Sequence, residues 1–243
     1  LAVEEAAQDL AFAAAGALVA ATDRWPQARL PWLDADNRPV LRIVSQAVAW
    51  AFDAGEREQA VGWMRWLVAR NPDDNHGWRQ PLRQELLHAG DAEGALAVLD
   101  AYPGDTPPSE HDRALALYLL QRRDEAQAVL QRAHAAHPAY VEALLPQALD
   151  RPPDRDDGLL EIGSEASAWD WRSRMRELWR SCGALDWLRG LDLPRPPKQT
   201  PKPPRKPPAR RKRAAAAHAV AAPSDPLPAL RRHFAERTPW VLG

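Results

Sequence analysis

The sequence predicts an all-α fold of stacked antiparallel helical hairpins, closed by a C-terminal capping segment and followed by a disordered, basic, proline-rich tail. The first observation behind this is a recurring helix–turn–helix pattern. Ala54-Gly55-Glu56-Arg57-Glu58-Gln59-Ala60 returns as Ala89-Gly90-Asp91-Ala92-Glu93-Gly94-Ala95 and, more loosely, as Arg122-Arg123-Asp124-Glu125-Ala126-Gln127-Ala128, so that Ala60, Ala95 and Ala128 follow one another at 35 and 33 positions. A period of that length belongs to arrays in which each hairpin buries its apolar faces only against its neighbours. The second observation is a helix apolar on two sides, with Ala60, Trp63, Met64 and Leu67 on one face and Val61, Trp66 and Val68 on another. Such a helix has to be sandwiched. Thirdly, the units end at Asn71-Pro72, at Tyr102-Pro103-Gly104-Asp105 and at His137-Pro138, where proline cannot continue a helix.

Taken in order, the alanine-rich stretch from Ala2 to about Thr22 is a helix, because alanine has the best intrinsic helix propensity, and it packs on the first hairpin. Asp23 to Pro39 holds three prolines together with Trp25 and Trp32. It is an ordered loop if the tryptophans are buried and a frayed one otherwise. Hairpins follow at 40–54 with 56–71, at 76–89 with 91–102, and at 109–121 with 123–137. Pro81 either opens a helix at its first turn or kinks one that starts near Asp73, and Asp73 and Asp74, which suit a helix N-terminus, favour the kink. The repeat places Ala60, Ala95 and Ala128 at close helix crossings. Farther on, Ala168, Trp171, Met175 and Leu178 fall on one stripe, Gly183 offers a left-handed stop, and Ala184 to Leu191 folds back as a terminal cap. The domain organisation expected is 1–38 for the N-terminal helix and Pro/Trp loop, 39–191 for the repeat domain, 192–223 for a linker and 224–243 for a short motif. That motif either docks a partner on a tether or packs back on the body.

Gly55, Ala60, Met64, Leu67 and Pro72 stand at the spacings of the tetratricopeptide repeat, and Gly90, Ala95 and Leu99 repeat the first three. This part of the chain resembles a divergent tetratricopeptide-repeat protein, whose aromatic and glycine positions in each first helix are mostly unmatched. The segment His137 to Pro146, Gly163 to Trp169, and Trp179 with Gly183-Ala184-Leu185-Asp186-Trp187-Leu188 resembles the C-terminal part of proteins similar to the suppressor-of-tumorigenicity-seven family. Asn71-Pro72-Asp73-Asp74-Asn75-His76-Gly77 is similar to a motif of related bacterial helical-repeat proteins. These resemblances cover roughly 40–190 and imply an interaction role with no catalytic residue.

The net charge of −1 hides a segregation. Nine basic residues between Arg195 and Arg213 stand without one acid; removing them, and the +1 of residues 214–243, leaves −11 for residues 1–194. Eight of the fifteen residues from Pro194 to Pro208 are proline, so this tail is extended and cannot bury enough apolar surface to offset its ordering entropy. It serves as a solubilising linker, as a Pro-x-x-Pro ligand, or as a nucleic-acid contact through Arg205, Lys206, Arg210, Arg211, Lys212 and Arg213, for which no aromatic residues are interleaved to stack bases. One cysteine, Cys182, excludes an intrachain disulfide framework, favours a reducing, cytoplasmic setting, and reads as a small buried residue rather than a reactive thiol. The longest early apolar run is about half the roughly 20 residues of a membrane span.

The short catalytic signatures are missing: there is no phosphate loop, no His-Glu-x-x-His and no Gly-x-Ser-x-Gly. His134 and His137, at i and i+3, lack an evident third metal ligand, so no cofactor or metal is expected. On the first helices, which line the concave groove in the resembled family, Arg42, Gln46, Arg79 and Arg83 are the candidate partner-binding residues. For Arg79 and Arg83, pairing with the acidic body is the competing reading. The expectation is a non-enzymatic scaffold or adaptor that binds protein. The alternative is a nucleic-acid- or nucleoprotein-associated accessory protein that uses the tail; oligomeric state and partner identity stay open.

Overall fold

The computed structural model describes residues 2–22, 24–25, 27–152 and 161–193. The chain divides into one unit from Leu1 to Arg195 and another from Pro196 to Gly243. The second lies outside the described residues, and with it the expectations for the linker, for Arg205 to Arg213 and for the motif at 224–243.

Every regular element described is helical. α1 spans Ala2–Thr22, α2 Arg38–Asp53, α3 Arg57–Arg70, α4 Arg79–His88, α5 Ala92–Ala101, α6 Pro107–Leu119, α7 Arg123–Ala136, α8 Ala139–Leu144, α9 Glu165–Ser181 and α10 Ala184–Gly190. α2 packs on α3, α4 on α5 and α6 on α7, while α3 meets α4 and α5 meets α6, so neighbours in sequence are neighbours in space. No helix among the described residues is long and apolar enough to cross a membrane.

The three hairpin turns share one backbone. Gly55, Gly90 and Gln121 adopt positive φ of 78°, 80° and 61°. Their N–H groups donate to Phe52, Leu87 and Tyr118, and the next N–H in each turn donates to Ala51, Leu86 and Leu117. This is the Schellman arrangement, in which a left-handed residue lets two N–H groups satisfy carbonyls of the final turn. Five positions after each left-handed residue stands an alanine: Ala60, Ala95 and Ala126, all 0% exposed. The third unit is therefore displaced from its expected register. Ala128 is exposed and Ala126 takes the crossing, because the left-handed residue of that turn is Gln121, a type that glycine-led alignment passes over.

The apolar stripes pack as their spacing demands. Ala60, Trp63, Met64 and Leu67 are 0–4% exposed, and Trp66 turns to the opposite side, where its Nε1 donates to Thr22 Oγ1 at 2.8 Å. Phe12 of α1 meets Trp63 edge-on at 5.2 Å. Arg70, 5% exposed, donates to the carbonyls of Thr22 and Ala28 at 3.0 Å each and to that of Trp25. A cation there complements the negative end of α1. Arg70 thus gathers the start of the loop, where Trp25 is 62% exposed, while Leu30 and Trp32 farther on are half-buried against the core.

Pro81 does not kink a helix. The chain after α3 turns twice, with Asp74 at φ 44° and Gly77 at φ 74°, and α4 opens only at Arg79, which puts Pro81 in its first turn, where a missing N–H leaves nothing unpaired. Asp74 still caps the helix, from outside it: its two carboxylate oxygens accept from the N–H groups of Trp78 and Arg79 at 2.9 and 2.8 Å.

Beyond α7 the hairpin alternation changes. α9 packs on α8 and also reaches the first helices: Trp171 donates to Asp112 on α6, and the backbone carbonyl of Arg174 lies 3.1 Å from His88 Nε2 on α4. Arg172 and Arg176, one turn apart, bind the carbonyls of Ala143 and Leu144 at 2.7 and 3.1 Å, which places positive charge on the open carbonyls ending α8. Ala168, Trp171 and Met175 are 0–1% exposed, and the stripe closes on Trp179 at 0%, with Leu178 half-buried beside it. Gly183 is left-handed at φ 81°, and α10 folds back with Ala184, Leu185 and Leu188 buried. Trp187 packs against Tyr118 at a tilt, with ring centroids 4.9 Å apart.

Candidate partner-binding site

The four candidate residues separate into an internal pair and a surface pair. Arg83 is 1% exposed. Its Nε donates to Asp112 Oδ2 at 2.7 Å and its Nη1 to Asp105 Oδ2 at 3.3 Å. Arg79, one turn earlier, reaches Asp105 at 2.7 Å and Asp74 at 3.2 Å, and its guanidinium lies over the Tyr102 ring at 5.0 Å. Two like charges at i and i+4 are thus balanced by three carboxylates, Asp74 from the turn before α4, Asp105 from the loop before α6 and Asp112 from α6. Arg83 is not presented to a partner, because its donors are directed into the fold.

The electrostatics follow burial. Burial raises the Asp74 carboxyl above the usual carboxylate range, against the N–H groups and the Arg79 charge that favour its ionised form. Burial also pushes Asp105 upward, but the hydrogen bond and charge of Arg79, with the charge of Arg83, outweigh it and hold that group below the usual range. Arg79 is raised in turn, chiefly by its hydrogen bond to Asp105.

Asp112 carries the network inward. Its Oδ1 accepts from Trp171 Nε1 at 2.8 Å. Beside it, His111 is fully buried between Tyr140 and Trp171, at ring distances of 5.0 and 5.6 Å. Nδ1 of His111 lies 3.1 Å from the Pro107 carbonyl, and Nε2 meets no acceptor. Burial, with the charges of His137 and His134 adding to it, lowers this imidazole to about 4. Tyr140, raised by burial, pairs with Ser167 Oγ at 2.8 Å. The arrangement joins α4, α6, α8 and α9. Among the described residues no group of three His, Cys, Asp or Glu side chains is set to hold a metal ion, and Cys182, half-buried, directs its Sγ to the Trp179 carbonyl at 3.7 Å.

Arg42 is exposed on α2, and Gln46, one turn on, is half-buried. The guanidinium groups of Arg42 and Arg38 lie 5.3 and 5.4 Å from the Trp32 ring, and His76 meets the same ring edge-on at 4.7 Å. Trp32 is itself positioned by Arg38 Nε, which donates to its carbonyl at 2.9 Å. His76 is lowered by burial and by the charge of Arg42. Gln46 Nε2 and His76 Nδ1 are buried without a partner, and Ile43 adds an apolar edge at 36% exposure. Neither Arg38 nor Arg42 meets a carboxylate among the described residues. Trp32 and His76 lie 44 positions apart, so no local pattern announces their meeting; the unmatched arginines on α2 are the only trace of it in the sequence.

No family model, curated protein or solved structure matches the chain.

Proposed function

We propose that the protein is a non-enzymatic scaffold built on tetratricopeptide-like hairpins, which docks an acidic segment of a protein partner on the face formed by Trp32, Arg38, Arg42, Gln46 and His76. The observation that carries this reading is Arg42. In a body whose arginines mostly reach carboxylates or carbonyls, this guanidinium lies on an aromatic ring with no acceptor. An arginine laid on tryptophan keeps its in-plane donors free for an incoming carboxylate. A reducing cytoplasm suits a body whose described thiol is unpaired.

The test compares wild type and Arg42→Glu as full-length baits for cross-linked, purified partners. Loss of the partner with an unchanged helical circular dichroism spectrum supports the face. Capture that survives the reversal moves docking elsewhere on the body.

A further inference from the structure

We infer that a second site, the groove between α5, α6 and α7, binds a short acidic protein segment that carries an aliphatic residue. The groove holds about 420 Å³. Its floor is apolar: Leu96, Leu117 and Val129 are 9%, 4% and 6% exposed, and Ala128 opens onto it. Around that floor stand three guanidinium groups, Arg113 from α6, Arg122 from the turn and Arg132 from α7. Arg113 reaches Asp100 at 2.6 Å and Arg122 reaches Glu125 at 2.7 Å. Arg132 is exposed and has no hydrogen-bond or ion-pair partner among the described residues. Asp100 and Glu125 also line the groove, at 68% and 58% side-chain exposure against 20% and 47% for Arg113 and Arg122, so two carboxylates face three guanidinium groups. The unmatched charge beside the apolar floor is therefore positive.

The preceding hairpin supplies an internal control. Thirty-one positions earlier, the register set by Gly90 and Gln121, the floor is kept as Leu86, Ala97 and Val98, but the three arginine positions hold Leu82, Asp91 and Ala101. The apolar positions are thus kept while these three arginine positions are not; the preceding interface carries Arg65 instead, and it is paired with Asp91. A guanidinium beside low-dielectric apolar surface binds a carboxylate through charge-assisted hydrogen bonds, and the small side chain of Ala128 leaves room for one aliphatic group. None of these helices carries Arg42, so the site stands independently of the docking face on α2.

A rhodamine-labelled peptide, Glu-Glu-Leu-Leu-Glu-Glu, titrated against the full-length protein by fluorescence polarisation at low salt, tests this. Wild type should bind it, with affinity falling as salt rises. Arg132→Glu should weaken binding about tenfold, the equivalent of one charge-assisted hydrogen bond. Ala128→Leu, which fills the floor at an exposed helical position, should weaken it comparably. Both variants should keep the wild-type circular dichroism spectrum, and Arg42→Glu should leave this affinity unchanged. No binding by wild type, wild-type affinity in both groove variants, or equal binding of a peptide with glycine in place of leucine would each overturn the site; a loss caused by Arg42→Glu alone would assign the peptide to α2 instead.

Discussion

Arg83 and Asp112 form an ion pair across the α4–α6 interface at 2.7 Å, with side chains 1% and 0% exposed. Each is also tied to a second group, Arg83 to Asp105 and Asp112 to Trp171, so two turns of helix and the incoming α9 depend on one contact. Removing one partner of a buried pair leaves the other undercompensated: Asp112 keeps only Trp171, and the one carboxylate left to Arg83 is an Asp105 that it shares with Arg79. Arg83→Met and Asp112→Asn are each expected to cost about 3–5 kcal/mol. Urea denaturation measures this, and a double-mutant cycle should show strong coupling, with the double variant far less destabilised than the sum. Arg79→Glu with Arg83→Glu, which would leave a surface groove's fold intact, should instead lose helical signal.

The displaced third turn separates two alanines only two positions apart. Ala126→Leu should overpack the α6–α7 crossing, and Ala95→Leu the corresponding one in the second hairpin, at about 1–3 kcal/mol each. Ala128→Leu should stay within about 0.5 kcal/mol of wild type, as exposed substitutions do. Equal effects of Ala126→Leu and Ala128→Leu on the melting temperature would disprove the register.

Glycine substitutions should change sign with backbone conformation. Gly90 sits at φ 80°, so Gly90→Ala is expected to destabilise by about 1–2 kcal/mol through left-handed strain. Gly62 lies inside α3 with open space around it, and Gly62→Ala should stabilise by about 1 kcal/mol. Thermal melts of the two variants in opposite directions check the prediction.

Acid should weaken the fold through its buried imidazoles, with Asp74, whose carboxyl is raised by burial, opposing them because the folded state takes up that proton first. His111 is lowered from 6.5 to about 4 in the folded protein. Above 6.5 it is neutral in both states and contributes no pH dependence. Between 6.5 and about 4 the unfolded chain takes up a proton that the folded one refuses, so stability falls as pH falls, by roughly 3 kcal/mol at most. His76, also lowered, acts in the same direction. The Asp105 contribution, held below the usual range, is lost only at more acid pH. His111→Phe keeps a ring between Tyr140 and Trp171 and should flatten the slope between pH 4 and 6.5 in urea melts.

Much of the architecture was legible because it is written locally. Glycine turns, proline stops and the Trp63–Met64–Leu67 stripe are all visible within a dozen positions, and the α1, α2 and α3 limits fall within about three residues of expectation. Where reading failed, the deciding contact was distant or the residue type was atypical. Gln121 performs a glycine's task, so the third alanine was misassigned. The sequence favours a kink at Pro81 because Asp74 caps α4 from outside the helix, through a turn that helical periodicity does not encode. Arg79 and Arg83 have the same type and spacing as a surface pair, and it takes Asp105 and Asp112, more than twenty positions away, together with the nearer Asp74, to turn them inward.

The ion pairs between hairpins also have a polarity. Arg65, five positions beyond Ala60, reaches Asp91 at 2.6 Å, while Asp100, five beyond Ala95, stands in the same groove as Arg122, with the signs exchanged. The junctions are therefore complementary only in the order in which they occur. Splicing out α4 and α5 would bring Arg65 opposite Arg122, and duplicating them would set Asp100 opposite Asp91. The hairpins are not interchangeable modules: anyone shortening or extending this array would have to recode one charge at each new joint.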